Sequence, residues 1–210
     1  MARVVSVNVG AVRTVDWHGR AVTTAIWKQP VEGRVPLRGV NLRGDDQADR
    51  TVHGGPDKAV YAYAVEDYAW WSHELGRELG PATFGENLTV EGIDLNALVI
   101  GTRWLVGSTE LEVSQPRTPC FKLGIRMGDA AFVDRFTDAE RFGAYFRIVR
   151  EGDVGAGDEI TEVKRADGIT VVEVGRALHE ADADLLERIA ADDAVAEGWR
   201  EWAARRRARR

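Results

Sequence analysis

A chain of 210 residues is long enough for one compact domain with a small appendage and too short for several large ones. Hydrophobic residues at 44% against charged residues at 30% are a folding composition, which excludes disordered and fibrous classes. With 28 basic and 34 acidic residues the net charge is −6, so no molecule-wide basic field exists for nucleic acid or an anionic membrane, and any anion site must be local.

Val5, Val7 and Val9 alternate with Ser6 and Asn8 and predict a strand over residues 3–9; a second alternating run predicts one over 21–28. Residues 33–55 are too rich in Gly and Asp for a helix and read as a loop that can display polar chemistry. Residues 58–64 read as a strand, followed by a helix over 65–76 with Tyr68, Trp71 and Leu75 on one stripe and a C-terminal Gly76. Short β-type runs recur at 87–90, 103–106, 110–114, 144–150 and 158–164, and only 121–127 and 129–141 look helical in the middle. This density of strands predicts a mostly β barrel or sandwich rather than a doubly wound sheet. At Thr170 the character changes: Thr170 and Glu173 have capping-box spacing, Asp182 can cap a helix over 183–191, and a third helix over 195–205 carries Trp199 and Trp202. We place a boundary near 166–168, giving a β domain over 1–167 and a three-helix domain over 168–210. Five arginines close the chain at 205–210, which we read as a solvated helix end and not a nucleic-acid arm.

The one cysteine, Cys120, cannot form an internal disulfide, and no stretch is apolar enough for an export signal or a membrane span. We therefore expect a cytoplasmic protein. Phosphate-cradling G-x-x-x-x-G-K-[ST] and G-x-G-x-x-G loops, the G-x-S-x-G elbow and H-E-x-x-H are all missing. With one Cys and four scattered His residues, a tetrahedral zinc set is not readable either.

Three segments carry chemistry. In Gln115-Pro-Arg-Thr-Pro-Cys-Phe-Lys122 the thiol sits at a predicted strand-to-helix corner, with Pro119 discouraging helix before it and Arg117 and Lys122 close by. A cationic setting of this kind favours thiolate, a soft metal ligand or sulfur nucleophile. The alternative is a small buried hydrophobe; two prolines, an Arg and a Lys around such a plug argue against it. Between Asn41 and Lys58, the cations Arg43, Arg50 and Lys58 mix with Asp45, Asp46 and Asp49, and Gly54 and Gly55 free the backbone for a ligand. His53 with Lys58 could meet a phosphate or pterin-like anion, against the alternative of a solvated turn whose charges pair among themselves. Phe84-Gly-Glu-Asn-Leu-Thr89 reads rather as a loop held by Glu86 and Asn87. The tryptophans at 70, 71, 199 and 202 read as packing residues.

Taken jointly, Gly44–Asp49 with His53–Tyr61, Phe84–Thr89 and Ser114–Leu123 resemble, in order and spacing, the MOSC domain proteins, named for the C-terminal domain of molybdenum cofactor sulfurase, and within them the YiiM-like group. The resemblance implies a MOSC-type β-barrel core with peripheral helices and a small C-terminal three-helix segment. It also implies the molybdenum cofactor (molybdopterin), with Cys120 as molybdenum ligand or sulfur-handling residue, and reduction of N-hydroxylated compounds such as hydroxylaminopurine. On that reading Cys120 and His53 are catalytic, and Arg117, Lys122, Lys58, Arg43, Gly54, Gly55 and Asn87 bind cofactor. An external flavin-containing reductase supplies electrons, since one Cys cannot hold an iron–sulfur cluster. The rival is a cofactor or sulfur carrier bearing a Cys120 persulfide without redox turnover. The Trp-bearing terminal helices allow a homodimer.

Overall fold

Residues 3–9 form β1 (Arg3–Val9), but not with the simple alternation of the sequence: a bulge between Val4 and Ser6 shifts its register, so Val4 and Val7 are buried while Val5 faces solvent. The computed structural model describes residues 1–48 and 54–209. Next come the hairpin β2 (Arg13–Trp17) and β3 (Arg20–Thr24), then β4 (Gln29–Pro30), β5 (Val35–Arg38) and β6 (Asn41–Leu42). The strand predicted over 21–28 thus stops at Thr24, and residues 25–28 leave the ladder.

A single 3₁₀ turn (Pro56–Lys58) leads into β7 (Val60–Ala64), α1 (Val65–Leu75) and β8 (Leu88–Glu91). Gly76 caps α1 in the left-handed conformation expected of it. β9 (Arg103–Val106), β10 (Thr109–Pro116), α2 (Phe121–Met127), α3 (Phe132–Asp138), β11 (Ala144–Arg150), β12 (Gly152–Val154) and β13 (Ile160–Lys164) follow. The chain ends in α4 (Val171–Glu180), α5 (Ala183–Ala191) and α6 (Glu197–Arg207).

Eight strands share one sheet in the order β13-β9-β10-β11-β7-β8-β1-β4, while β12-β5-β6 and β2-β3 form small separate sheets. This order does not close into the expected barrel. Its ends approach through an isolated bridge between Arg3 and Glu159 and through Val4 N, which donates to Asp158 O at 2.9 Å. The mostly β expectation also gives way to a mixed α/β fold, with 31% strand and 28% helix. The cause lies at β7, which is buried on both faces. Val60, Ala62 and Ala64 face the main core, and Tyr61 and Tyr63 face a second cluster with Trp71, Phe84, Leu123, Phe132 and Phe136 from the helical side. Helices are needed to cover that aromatic face. β7 and β8 run parallel with α1 between them, a βαβ unit inside an otherwise antiparallel sheet.

The terminal helices start as their sequence requires. Thr170 N donates to Glu173 Oε2 at 2.8 Å and Glu173 N to Thr170 Oγ1 at 3.3 Å, and Leu185 N donates to Asp182 Oδ1 at 2.8 Å. Val171, Val174, Leu186, Ile189, Trp199 and Ala203 join the same apolar cluster as Val4, Leu111 and Phe146 of the sheet. The helices therefore borrow the sheet's core, as segments too short to persist alone must.

Candidate functional site

β10 delivers the chain through Pro116 to the segment Arg117-Thr118-Pro119-Cys120, and α2 begins at once. Cys120 is the extended residue that starts this helix (φ −127°, ψ 169°), and its carbonyl accepts from Leu123 N at 2.8 Å. The corner read from the sequence is present, and Cys120, half-buried, lines a cleft with Arg117, Lys122, Lys58, Tyr61, Tyr145 and Asn87.

Arg117 is 6% exposed, a depth its sequence does not announce. Its guanidinium carbon lies 5.4 Å from the centre of the Tyr61 ring and 5.2 Å from that of Phe136. Nη1 is buried and has no hydrogen-bond partner among the described residues. Burial raises the Tyr145 pKa, and the neighbouring Arg117 charge opposes that rise. Burial likewise lowers the Lys58 pKa, with Asp57 and Cys120 acting against it. The sulfur thus lies within the electrostatic reach of both cations.

The opposite wall is built around Asp45. One of its oxygens accepts from Gly10 N at 2.8 Å, the other from Asn87 Nδ2 at 2.9 Å, and both receive the Lys28 ammonium. The side chains of Lys28 and Asp45 are 8% and 1% exposed, so this is a buried ion pair. Burial still lowers the Lys28 pKa against the pull of Asp45. Gly85 turns the neighbouring loop at φ +78°, and a Cβ there would lie 2.8 Å from Ile26 Cγ1 in the same wall, so the position takes glycine. Past this turn, Glu86 is fully buried. Its Oε1 accepts from Tyr68 Oη at 2.5 Å, Ala82 N at 2.6 Å and Thr89 Oγ1 at 2.8 Å, while Oε2 has no partner among the described residues. Burial raises its pKa above the usual carboxylate range.

The structure therefore brings together Cys120, Arg117, Lys122, Lys58 and Asn87. Asn87 also holds the frame, since its Oδ1 accepts from Tyr61 N at 3.1 Å. Gly54 and Gly55 line a neighbouring cleft instead, and Arg43 is exposed and absent from the walls of the cysteine cleft. His53, with Asp49 and Arg50, lies outside the described residues. Sequence reasoning missed Lys28, Tyr61 and Tyr145 and did not separate Asp45 from the other acids around it. A lone lysine closing an apolar run was the available signal for Lys28; nothing local marks Tyr145. Among the described residues no three His, Cys, Asp or Glu side chains gather as a metal site, so Cys120 could supply one ligand to a metal whose others arrive with a cofactor.

The MOSC domain profile matches residues 49–161. YflK of Bacillus subtilis (strain 168), an uncharacterised protein, is 38% identical over 94% of this chain and 90% of its own length. A protein named a reductase from Gibberella moniliformis is 32% identical over 70% of this chain, which corresponds to 27% of that protein. The crystal structure of YiiM from Geobacillus stearothermophilus superposes with a TM-score of 0.82 at 29% identity, covering 99% of this chain and all of that one. No helix among the described residues is long and apolar enough to cross a membrane. Profile, sequence and fold converge, and the chain belongs to the MOSC domain family.

Proposed function

We propose that the protein is a molybdenum-cofactor-dependent reductase of N-hydroxylated compounds, with the cysteine cleft as the seat of the metal or phosphate end of the cofactor. The observation that carries the reading is Arg117: a buried guanidinium with an unpartnered Nη1, in the same cleft as a thiol and three lysines, of which Lys28 is paired with Asp45. Arginine keeps its charge even when buried, and a desolvated donor without an acceptor is costly unless a ligand supplies one. The donor set fits. Arg117, Lys58 and Lys122 suit a phosphate, and the Cys120 sulfur suits a soft metal. The cleft encloses about 100 Å³, room for one end of such a cofactor, while the pterin ring needs adjoining space.

When bound, the cofactor supplies the two-electron redox chemistry. The overall change is R–NHOH + 2e⁻ + 2H⁺ → R–NH₂ + H₂O. The chain's own residues bind the anion through Arg117 and the lysines, hold the sulfur in place at the start of α2, and keep the far wall rigid through Lys28, Asp45 and Asn87. Electrons come from a separate flavin-containing reductase, because a single cysteine cannot hold a cluster. The fungal relative's name supports reductase chemistry in this family, and no substrate follows from it.

The test is to purify the protein from cells that make the cofactor and to measure molybdenum and pterin per chain, then to repeat this with Cys120→Ala. The expected result is near-stoichiometric metal in the parent and loss in the variant, with reductase-dependent consumption of a hydroxylaminopurine by the parent alone. Undiminished molybdenum in Cys120→Ala defeats the ligand assignment. A persulfide on Cys120 in the mass spectrum without turnover replaces the reductase with a sulfur carrier.

A further inference from the structure

Cations gather at the rim of the cysteine cleft around Trp27. Lys122 and Arg126 lie one turn apart on α2 and share a face, and Lys122 lines the cleft beside Cys120. Arg126 is half-buried, and its Nε donates to Thr83 O at 3.3 Å, in the loop whose next two residues, Phe84 and Gly85, line the same cleft. Its guanidinium carbon lies 5.8 Å from the centre of the Trp27 ring, and that of Arg13, at the start of β2, lies 3.9 Å from the same ring. Trp27 follows Ile26, another residue of the cleft wall. Burial lowers the Arg126 pKa and Tyr68 opposes that, while the like charges of Arg13 and of Arg77, just past α1, add to it; Glu86, which acts against them, is itself buried.

This grouping departs from the rest of the chain. Among the described residues Arg13, Arg77, Lys122 and Arg126 enter no ion pair, whereas Arg3, Arg34, Arg103, Arg141 and Arg147 each meet a carboxylate. Like charges held together without a counter-charge repel, and in a chain of net charge −6 they create a local positive field at one opening. Arg13 and Arg77 are exposed, and Phe121, which starts α2 next to Cys120, is 57% exposed. Arginine and aromatic side chains together are the composition of a protein–protein contact. The rim draws on β2, the segment after β3, the segment after α1, and α2, a spread wider than one small anion can span.

The chemistry of the reaction says what covers this rim. Each R–NHOH takes two electrons and two protons, and the single cysteine leaves the chain without a cluster of its own to supply them. A reduced flavin provides both, FlH₂ → Fl + 2e⁻ + 2H⁺. Electron transfer falls off steeply with distance, so the donor has to seat at the mouth of the cleft that holds Cys120. A positive rim there steers and orients a partner with a negative face.

We propose that Arg13, Arg77 and Arg126, grouped around Trp27, dock the acidic face of a flavin-bearing electron-donor protein at the mouth of the cysteine cleft. The proposal deepens the reductase reading and rests on it for the electron flow, though not for the docking.

Arg13→Glu and Arg77→Glu reverse exposed charges, and Arg126→Gln removes one while keeping a side chain able to donate to Thr83 O. Lys164→Glu, on an exposed position of β13 that lines neither cleft, is the charge-matched control. The probe is flavodoxin, a small acidic FMN protein. Its binding to the full-length chain without added cofactor is measured by calorimetry, and thermal melting checks that each variant is folded. We expect the parent to bind and its Kd to weaken about tenfold or more between about 20 and 200 mM salt. Each rim variant should weaken the low-salt Kd about threefold or more, and Lys164→Glu should match the parent. In protein carrying cofactor, kcat/KM for reduced flavodoxin should fall in the rim variants, while turnover from free reduced riboflavin, which needs no docking, stays at the parent's level. The proposal is overturned if flavodoxin does not bind the parent, if binding ignores salt, or if Lys164→Glu weakens it as much as the rim variants do. It is equally overturned if the rim instead holds a second copy of this chain, seen by light scattering at low salt, or a DNA duplex. A parent without molybdenum would sink the reductase reading alone, because the docking titration uses the unloaded chain.

Discussion

The two walls of the cysteine cleft treat a buried cation in opposite ways. On one wall Lys28 meets Asp45, and that carboxylate is further held by Gly10 and Asn87, so charge and hydrogen bonds close within the protein. On the other wall Arg117 rests on the rings of Tyr61 and Phe136 with Nη1 unpartnered. A closed ion pair is scaffold: removing one partner strands the other, while the intact pair offers a ligand little. An open guanidinium is a seat, and the desolvation it tolerates is offset once an anion arrives.

The comparison breaks most readily at its closed side. Asp45→Ala leaves the Lys28 ammonium buried without its carboxylate and should cost about 3–5 kcal/mol in urea unfolding at neutral pH. Arg117→Met should do the reverse. Stability should stay within about 1 kcal/mol of the parent or rise, because a buried charge is replaced by an apolar chain of similar length. Phosphate binding, read by calorimetry, should weaken about tenfold or more from loss of a charge-assisted contact. If Arg117→Met is as damaging to stability as Asp45→Ala, the distinction between the two walls fails.

Glu86 sharpens the contrast as a third buried group, a carboxyl whose pKa is raised by burial. Its native pKa lies above the unfolded value of 4.5, so the native state binds more protons than the unfolded state between those two values. The stability it contributes is complete below pH 4.5 and is lost as pH rises through the native pKa, with a slope of up to about 1.4 kcal/mol per pH unit. Glu86→Gln should remove that component, and unfolding free energies compared across pH 4–8 would show the flattening. An unchanged profile would mean that Glu86 is charged in the native state. The smallest stability effect is expected at Cys120→Ala: the residue is half-buried, and its loss should move stability by less than about 1 kcal/mol even while metal content falls. A larger loss would make Cys120 a packing residue.

Much of the site was legible because its parts are close in sequence. The corner at Pro119-Cys120 follows from a proline that cannot continue a strand ladder into a helix, and Lys122 is carried along by the first turn of α2. The capping box at Thr170 and the left-handed Gly76 are equally local. Lys28 and Asp45 were not legible as a pair: their meeting depends on residues 25–28 leaving the ladder after β3 and on the turn after β6. The mostly β reading failed at β7, where strict alternation conceals two buried faces, and only the helices packed on Tyr61 and Tyr63 reveal the second. The bulge in β1 similarly exposed Val5, which period-two reasoning had placed inside.

Local chemistry, the φ of proline, the reach of a capping side chain and the charge beside a thiol, is written into neighbouring residues, and the sequence by itself determined where the helices of residues 121–127 and 171–191 begin and which sulfur could be activated. Burial belongs to no single residue. Only the tertiary structure decided that Arg117 lies against aromatic rings with its Nη1 lacking an acceptor, that Lys28 meets Asp45 within one wall of the cleft, and that Lys58 and Tyr145 line two adjoining clefts. Each of these depends on the dielectric and the partners supplied by segments distant in the chain.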